Sequence, residues 1–275
     1  MSQSNHSFAK IGLIGFFGLL TGAVLYGFLA REWLPPVASQ HGQGVDQVIR
    51  YLTVATGVVF VLGHLALIAM IWKYGGQNDS IHTPASRKVE WITALVPVVF
   101  MAGVAEVGVL IIGQPVWGQL YGDVPEDAIQ IEVVGRQFEW RARYPGRDGK
   151  FGDFEAGLVN QRRNPLGLVE EDAAARDDIV TGALHLPVGK PILIRLRSQD
   201  VQHSFSVPQF RIKQDLVPGT PTQIQFVVTQ EGEYEIACAE LCGLGHYTMK
   251  GRVIAHSPED FQKWLDSQEG FFEYE

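Results

Sequence analysis

Three long apolar runs in the first 113 residues decide what this chain can fold into. A helix rises about 1.5 Å per residue, so roughly twenty apolar residues cross a hydrocarbon core about 30 Å thick. Residues 11–30 carry no charge, and 48–72 and 91–113 are the second and third runs. A backbone in lipid finds no water to bond, so each run is expected to be a helix. The first is read as a retained span and not a cleaved signal. It is longer than a signal core, and no small-x-small site follows it; Arg31-Glu32-Trp33 does. Its glycines, Gly12, Gly15, Gly18, Gly22 and Gly27, are spaced for close helix contact.

Charge orients the spans. The loop 73–88 carries Lys73, Arg87 and Lys88 against Asp79, and basic residues near span ends favour the cytoplasmic side. The third run then leads outward, and everything from Gln114 onward lies outside. The tryptophans Trp33, Trp72, Trp91 and Trp117 suit the two interfaces. Three ionisable groups touch the spans. Glu90 opens the third, where a helix N-terminus favours a carboxylate. Glu106, about 24 Å further along, is expected near the outer face as a packing or interfacial residue, and His64 is read the same way.

Past Pro115 the pattern changes to short β-rich runs at 129–134, 137–144, 192–196, 223–229, 233–238 and 251–255, punctuated by glycine and proline. Such spacing argues for a sandwich or barrel. A short helix is expected over 260–268, where Phe261, Trp264 and Leu265 share one face. Residues 145–185 read as a long loop without elements of its own. The expected organisation is an N-terminal extension 1–47 with an extra span, a helical hairpin 48–114, and an extracytoplasmic β domain 115–275 with 145–185 inserted. The first 113 residues hold five acidic and six basic residues, so the formal net charge of −8 belongs to the distal half. An acidic surface steers basic partners and suits no nucleic acid.

The chemistry is concentrated late. Cys238 and Cys242 are the only cysteines, and His246 and Met249 follow within a dozen positions. A further histidine, His203, lies upstream. Thiolate, imidazole and thioether select copper over hard cations, and zinc sites rarely use methionine. The alternative for the two cysteines is a structural disulfide.

Ordered as His203 and then C-x-E-x-C-x-x-x-H-x-x-M, with Asp200-Val-x-His-Ser-Phe, Val207-Pro, Lys213-x-Asp215 and Pro218-Gly219 in register, the chain resembles subunit II of the haem-copper (cytochrome c) oxidases. The resemblance covers about residues 50–265 and implies a cupredoxin Greek-key sandwich behind the membrane helices. It makes Cys238 and Cys242 thiolates bridging two coppers of a CuA centre, His203 and His246 the terminal imidazoles, and Met249 and the carbonyl of Glu240 the weak axial ligands. It implies that the Glu240 side chain reaches a magnesium ion shared with subunit I, that Asp200 supports His203, and that Glu90 stands at the mouth of a proton pathway. The haem belongs to the partner subunit; no haem attachment motif C-x-x-C-H is present.

The resemblance further implies multiple spans in a bacterial inner membrane, with the copper domain periplasmic, beside subunit I and other oxidase subunits. The chain departs from the family at the electron entrance. In Gly135-Arg-Gln-Phe-Glu-Trp140, Phe138 stands where the family has a surface tryptophan, and Trp140 matches the next aromatic. The donor is therefore expected to be a soluble cytochrome c or a membrane-bound cytochrome. Two alternatives stand beside a cytochrome c oxidase. One is the copper subunit of a nitric oxide reductase; the other is a stand-alone tethered cupredoxin.

Overall fold

The computed structural model describes residues 3–75 and 84–273; the middle of the expected cytoplasmic loop, 76–83, lies outside the described residues. The chain divides into two units. One comprises Met1–Pro35 and Asp46–Gln114, the other Pro36–Val45 and Pro115–Glu275.

The first unit is helical. Helix α1 spans Gln3–Leu29 and α2 spans Gly42–Tyr74. Helix α3, Arg87–Val99, runs through a π-helical segment, Phe100–Glu106, into α4, Val107–Tyr121. The stretches Ser7–Leu29, Gly42–Tyr74 and Arg87–Tyr121 have mean hydropathy 1.9, 2.4 and 2.5, with almost nothing buried inside the chain. Water does not tolerate so much bare apolar surface, which marks lipid or other chains as its surroundings. Ser86 caps α3, its hydroxyl accepting from the Val89 N–H, and Glu90 falls in the first turn as expected. Glu106 ends the π-helical segment, inside the apolar stretch Arg87–Tyr121. Pro115 does not end the helix, and α4 continues beyond it to Tyr121.

The second unit is a two-sheet sandwich of the cupredoxin type. Its strands are β1 Ile129–Arg136, β2 Glu139–Tyr144, β3 Ile179–Thr181, β4 Ala183–Pro187 and β5 Pro191–Ser198. They continue with β6 His203–Val207, β7 Ile212–Leu216, β8 Thr222–Val227, β9 Gly232–Cys238 and β10 Lys250–His256. One sheet has the order β3-β2-β1-β5-β8, the other β4-β10-β9-β6-β7. Strands alternate sides every residue, so Ile131, Val133, Ile192, Ile194, Leu196, Phe205 and Val253 meet in one core. Each such side chain contributes roughly 1.5–3 kcal/mol by leaving water.

Two expectations change. The segment Pro36–Val45, expected in the N-terminal extension, clusters with the sandwich unit. Ala38 N–H donates to Gln209 O at 2.8 Å, and the Ser39 hydroxyl donates to Phe210 O at 2.7 Å. The insert 145–185 is not bare loop either. It carries a short helix α5, Ala173–Arg176, together with β3 and β4, and its own cluster of Leu166, Leu168 and Ala175 packs beneath Val134. Arg143 on β2 holds it from inside: its Nε donates to Asp178 at 3.0 Å, and both side chains are buried. The closing helix is α6, Pro258–Asp266.

Candidate metal centre

The loop of interest closes the β9–β10 hairpin. Pairing of Ala237 with Lys250 sets Cys238 and Met249 opposite each other at its base, where the Cys238 N–H donates to Met249 O at 3.3 Å. Strand β6 lies along β9 with Phe205 opposite Cys238, and the Ala239 N–H donates to Ser204 O at 2.9 Å. That register carries His203, two residues earlier, to the loop's inner side. Sheet pairing, not sequence proximity, joins the early histidine to the late donors.

The donors converge. Cys238 Sγ and Cys242 Sγ lie 3.8 Å apart as free thiols, not joined in the disulfide that was the alternative for them. His203 Nδ1 is 3.9 Å from Cys238 Sγ, and His246 Nδ1 is 3.5 Å from Cys242 Sγ. Met249 Sδ is 3.7 Å from Cys242 Sγ, and the Glu240 carbonyl is 3.2 Å from Cys238 Sγ. The ligand atoms of His203, Cys238 and Cys242 all fall within 4.8 Å of one another. Two sulfurs in the middle, one imidazole at each and one weak donor beside each make a set that soft copper fits and hard cations do not.

Electrostatics point the same way. Burial first, and then the neighbouring Cys238 thiol, push the Cys242 thiol up to about 11. Two thiolates this close to each other in a dry site need a cation between them, and binding one releases their protons. His203 is fully buried, and its Nε2–H points at Asp200 Oδ1, 2.8 Å away, which leaves the Nδ1 lone pair to face the sulfurs. Burial raises the Asp200 carboxyl, but the Gln137 N–H and His203 outweigh it and hold it below the usual carboxylate range. An ionised Asp200 thus fixes the tautomer, as carboxylates behind metal-binding histidines commonly do.

The aromatic pair divides its work. Trp140 is buried, edge-on to His203 at 6.1 Å between centroids, and its Nε1–H donates to Met249 O at 3.5 Å. Phe138 is partly buried against Gly245, the residue before His246, where any side chain would run into the Phe138 ring. Gln137 was not singled out in the sequence, yet its Nε2–H donates to Cys242 O at 2.6 Å and its backbone N–H to Asp200 Oδ2 at 2.8 Å. Only the fold brings it to a loop 105 residues on. The outer rim is apolar: Leu244 is fully exposed, and Leu241 and Tyr247 are largely so.

The family model for the periplasmic domain of cytochrome c oxidase subunit II matches residues 129–256. The alternative cytochrome c oxidase subunit 2 of Bradyrhizobium diazoefficiens is 35% identical over 254 residues, covering 91% of this chain and 89% of that protein. Cytochrome c oxidase subunit 2 of Thermostichus vulcanus is 55% identical over 143 residues, covering 52% of this chain and 34% of that protein. Among solved structures, the periplasmic domain of subunit II of cytochrome oxidase of Bradyrhizobium japonicum is 29% identical over 53% of this chain and 96% of that chain, with a TM-score of 0.39.

Proposed function

The chain belongs to the cytochrome c oxidase subunit II family, and we propose that it is the electron-accepting subunit, holding a binuclear CuA centre on the periplasmic side of a bacterial inner membrane. The observation that carries this reading is the pair of free thiols 3.8 Å apart, flanked by His203, His246, Met249 and the Glu240 carbonyl. Cys238 and Cys242 would bridge the two coppers, His203 and His246 would bind one each, and Met249 and Glu240 O would be the weak ligands. Such a centre supplies one-electron storage with little rearrangement, because two metals share the charge.

The chain's own residues supply the rest. Asp200 holds His203 in one tautomer, Gln137 ties down the Cys242 carbonyl, and the buried Trp140 seals the inner side against water. A rigid cradle of this kind leaves little to rearrange when the charge changes. Phe138 and Trp140 form the aromatic path by which the electron arrives; Phe138 is the outer member, in keeping with its partial exposure. The donor is a cytochrome c or a membrane-bound cytochrome, drawn by the acidic distal half. From here the electron passes to haem in subunit I, where oxygen is reduced to water with proton translocation. The Glu240 carboxylate serves a magnesium ion shared with that subunit, and Glu90 stands at the entrance of its proton pathway.

Cys242→Ser in the intact oxidase tests the reading. The variant is expected to lose the near-infrared and split copper signals and to stop turnover with reduced donor. Steady oxygen uptake at the wild-type rate would overturn it.

A further inference from the structure

Glu106 is an ionisable residue within a membrane span, and the electron-transfer function does not use it. Counted along the helix it lies about 22 Å from Trp91, inside the apolar stretch Arg87–Tyr121 that is long enough to cross a bilayer. It is exposed on this chain, and no described residue bonds its carboxylate. Carboxylates within spans are costly, and those that occur face protein or water.

The backbone around it is built, not incidental. Glu106 ends the π-helical segment Phe100–Glu106, in which the Val107 N–H reaches back five residues to Ala102 O. A π turn takes in one extra residue and so rotates the downstream helix by about 100° relative to a straight α-helix, and such turns recur at functional sites. Two residues hold it in place. The Tyr51 hydroxyl, from α2, donates to the Val104 carbonyl within the turn. Gly108 lets the Tyr51 ring lie against the helix, where any side chain would collide with that hydroxyl and ring. Tyr51 and Gly108 thus fix which way Glu106 points.

We propose that Glu106 is a docking residue: its carboxylate accepts a hydrogen bond from a donor side chain on a membrane helix of a partner oxidase subunit. Hydrogen-bond complementarity selects this occupant, since a lipid tail offers nothing to a carboxyl oxygen whereas a donor on a neighbouring helix offsets its burial. The inference rests on the oxidase reading for the partner's identity. It adds a membrane-embedded contact to that reading.

The test uses the full chain, co-expressed with the haem-bearing subunit and isolated in mild detergent. The readouts are the ratio of the two chains and the copper content of this one. Glu106→Leu is expected to lower the ratio at least fivefold with copper unchanged, and Gly108→Ala to lower it in the same direction by displacing Tyr51. Glu106→Gln keeps an acceptor oxygen and is expected to restore the wild-type ratio. A wild-type ratio in Glu106→Leu, or a loss in Glu106→Gln as deep as in Glu106→Leu, overturns the proposal. Failure of the wild-type chain to bring down any haem-bearing chain would count against the oxidase reading instead.

Discussion

Asp200 shows how one residue outside the metal loop governs a ligand within it. Its Oδ1 faces His203 Nε2, while Oδ2 accepts from the Gln137 N–H, so it orients the imidazole and ties down the turn before Phe138 together. Asn at 200 keeps the shape but loses the charge-assisted bond. Partners of this kind typically change metal affinity 10–100-fold, and Asp200→Asn is expected to lose copper to a competing chelator about that much sooner. Chelator resistance equal to wild type would deny Asp200 this role. At this scale the sequence was informative about donors and silent about their props. Cys238, Cys242, His246 and Met249 share one loop and one chemistry, which spacing reveals. Gln137 offers an ordinary amide, and nothing but the fold joins it to Cys242.

Among the elements, the α6 helix and the far ends of β4 and β10 meet in an aromatic stack. His185 lies parallel to Trp264 at 4.0 Å and 2°, and its Nδ1 is 2.8 Å from His256 Nε2. Burial first, then the His256 and Arg252 charges, hold the His185 imidazole down to about 4. The unfolded chain takes up that proton near 6.5, so this contribution to stability is complete above about 6.5 and is lost as pH falls toward 4. The partly exposed setting reduces the effect to about 1–2 kcal/mol. Thermal unfolding of the detergent-solubilised chain should show it, and His185→Phe should flatten the profile between pH 6.5 and 4; an unchanged slope would contradict the assignment. The Arg143–Asp178 pair makes a second element-scale case. Breaking a buried pair leaves an uncompensated charge, so Asp178→Ala is expected to cost about 3–5 kcal/mol and to loosen the insert first, as read by hydrogen exchange over residues 145–185. Uniform protection there would contradict it. The strands legible in the sequence were those rich in β-branched and aromatic residues, such as 129–134 and 192–196. Strand β6 reads His-Ser-Phe-Ser-Val and β7 reads Ile-Lys-Gln-Asp-Leu, too polar to stand out, and they pair with each other along one side of the metal loop. The small strands β3 and β4 were hidden in the insert because sheet contacts, not local propensity, hold them.

As a whole molecule the chain is a set of lipid-facing helices and an acidic sandwich carrying soft donors. Both were legible early, because hydropathy and charge are summed over many residues. The helix ends were not: α2 begins at Gly42 and α4 runs on through Pro115 to Tyr121, since packing and capping set ends that composition cannot. The acidic surface makes a whole-molecule prediction. Turnover of the intact oxidase with a basic donor should fall as salt rises, because screening weakens long-range steering; a rate indifferent to salt would favour a tethered donor. The central claim is that two sulfurs of this chain share two coppers. Copper and free-thiol analysis of the purified assembly tests it most directly: the account predicts two coppers per copy of this chain and no disulfide between Cys238 and Cys242. A copper-free chain, or those two sulfurs bonded to each other in the turning-over enzyme, would contradict it.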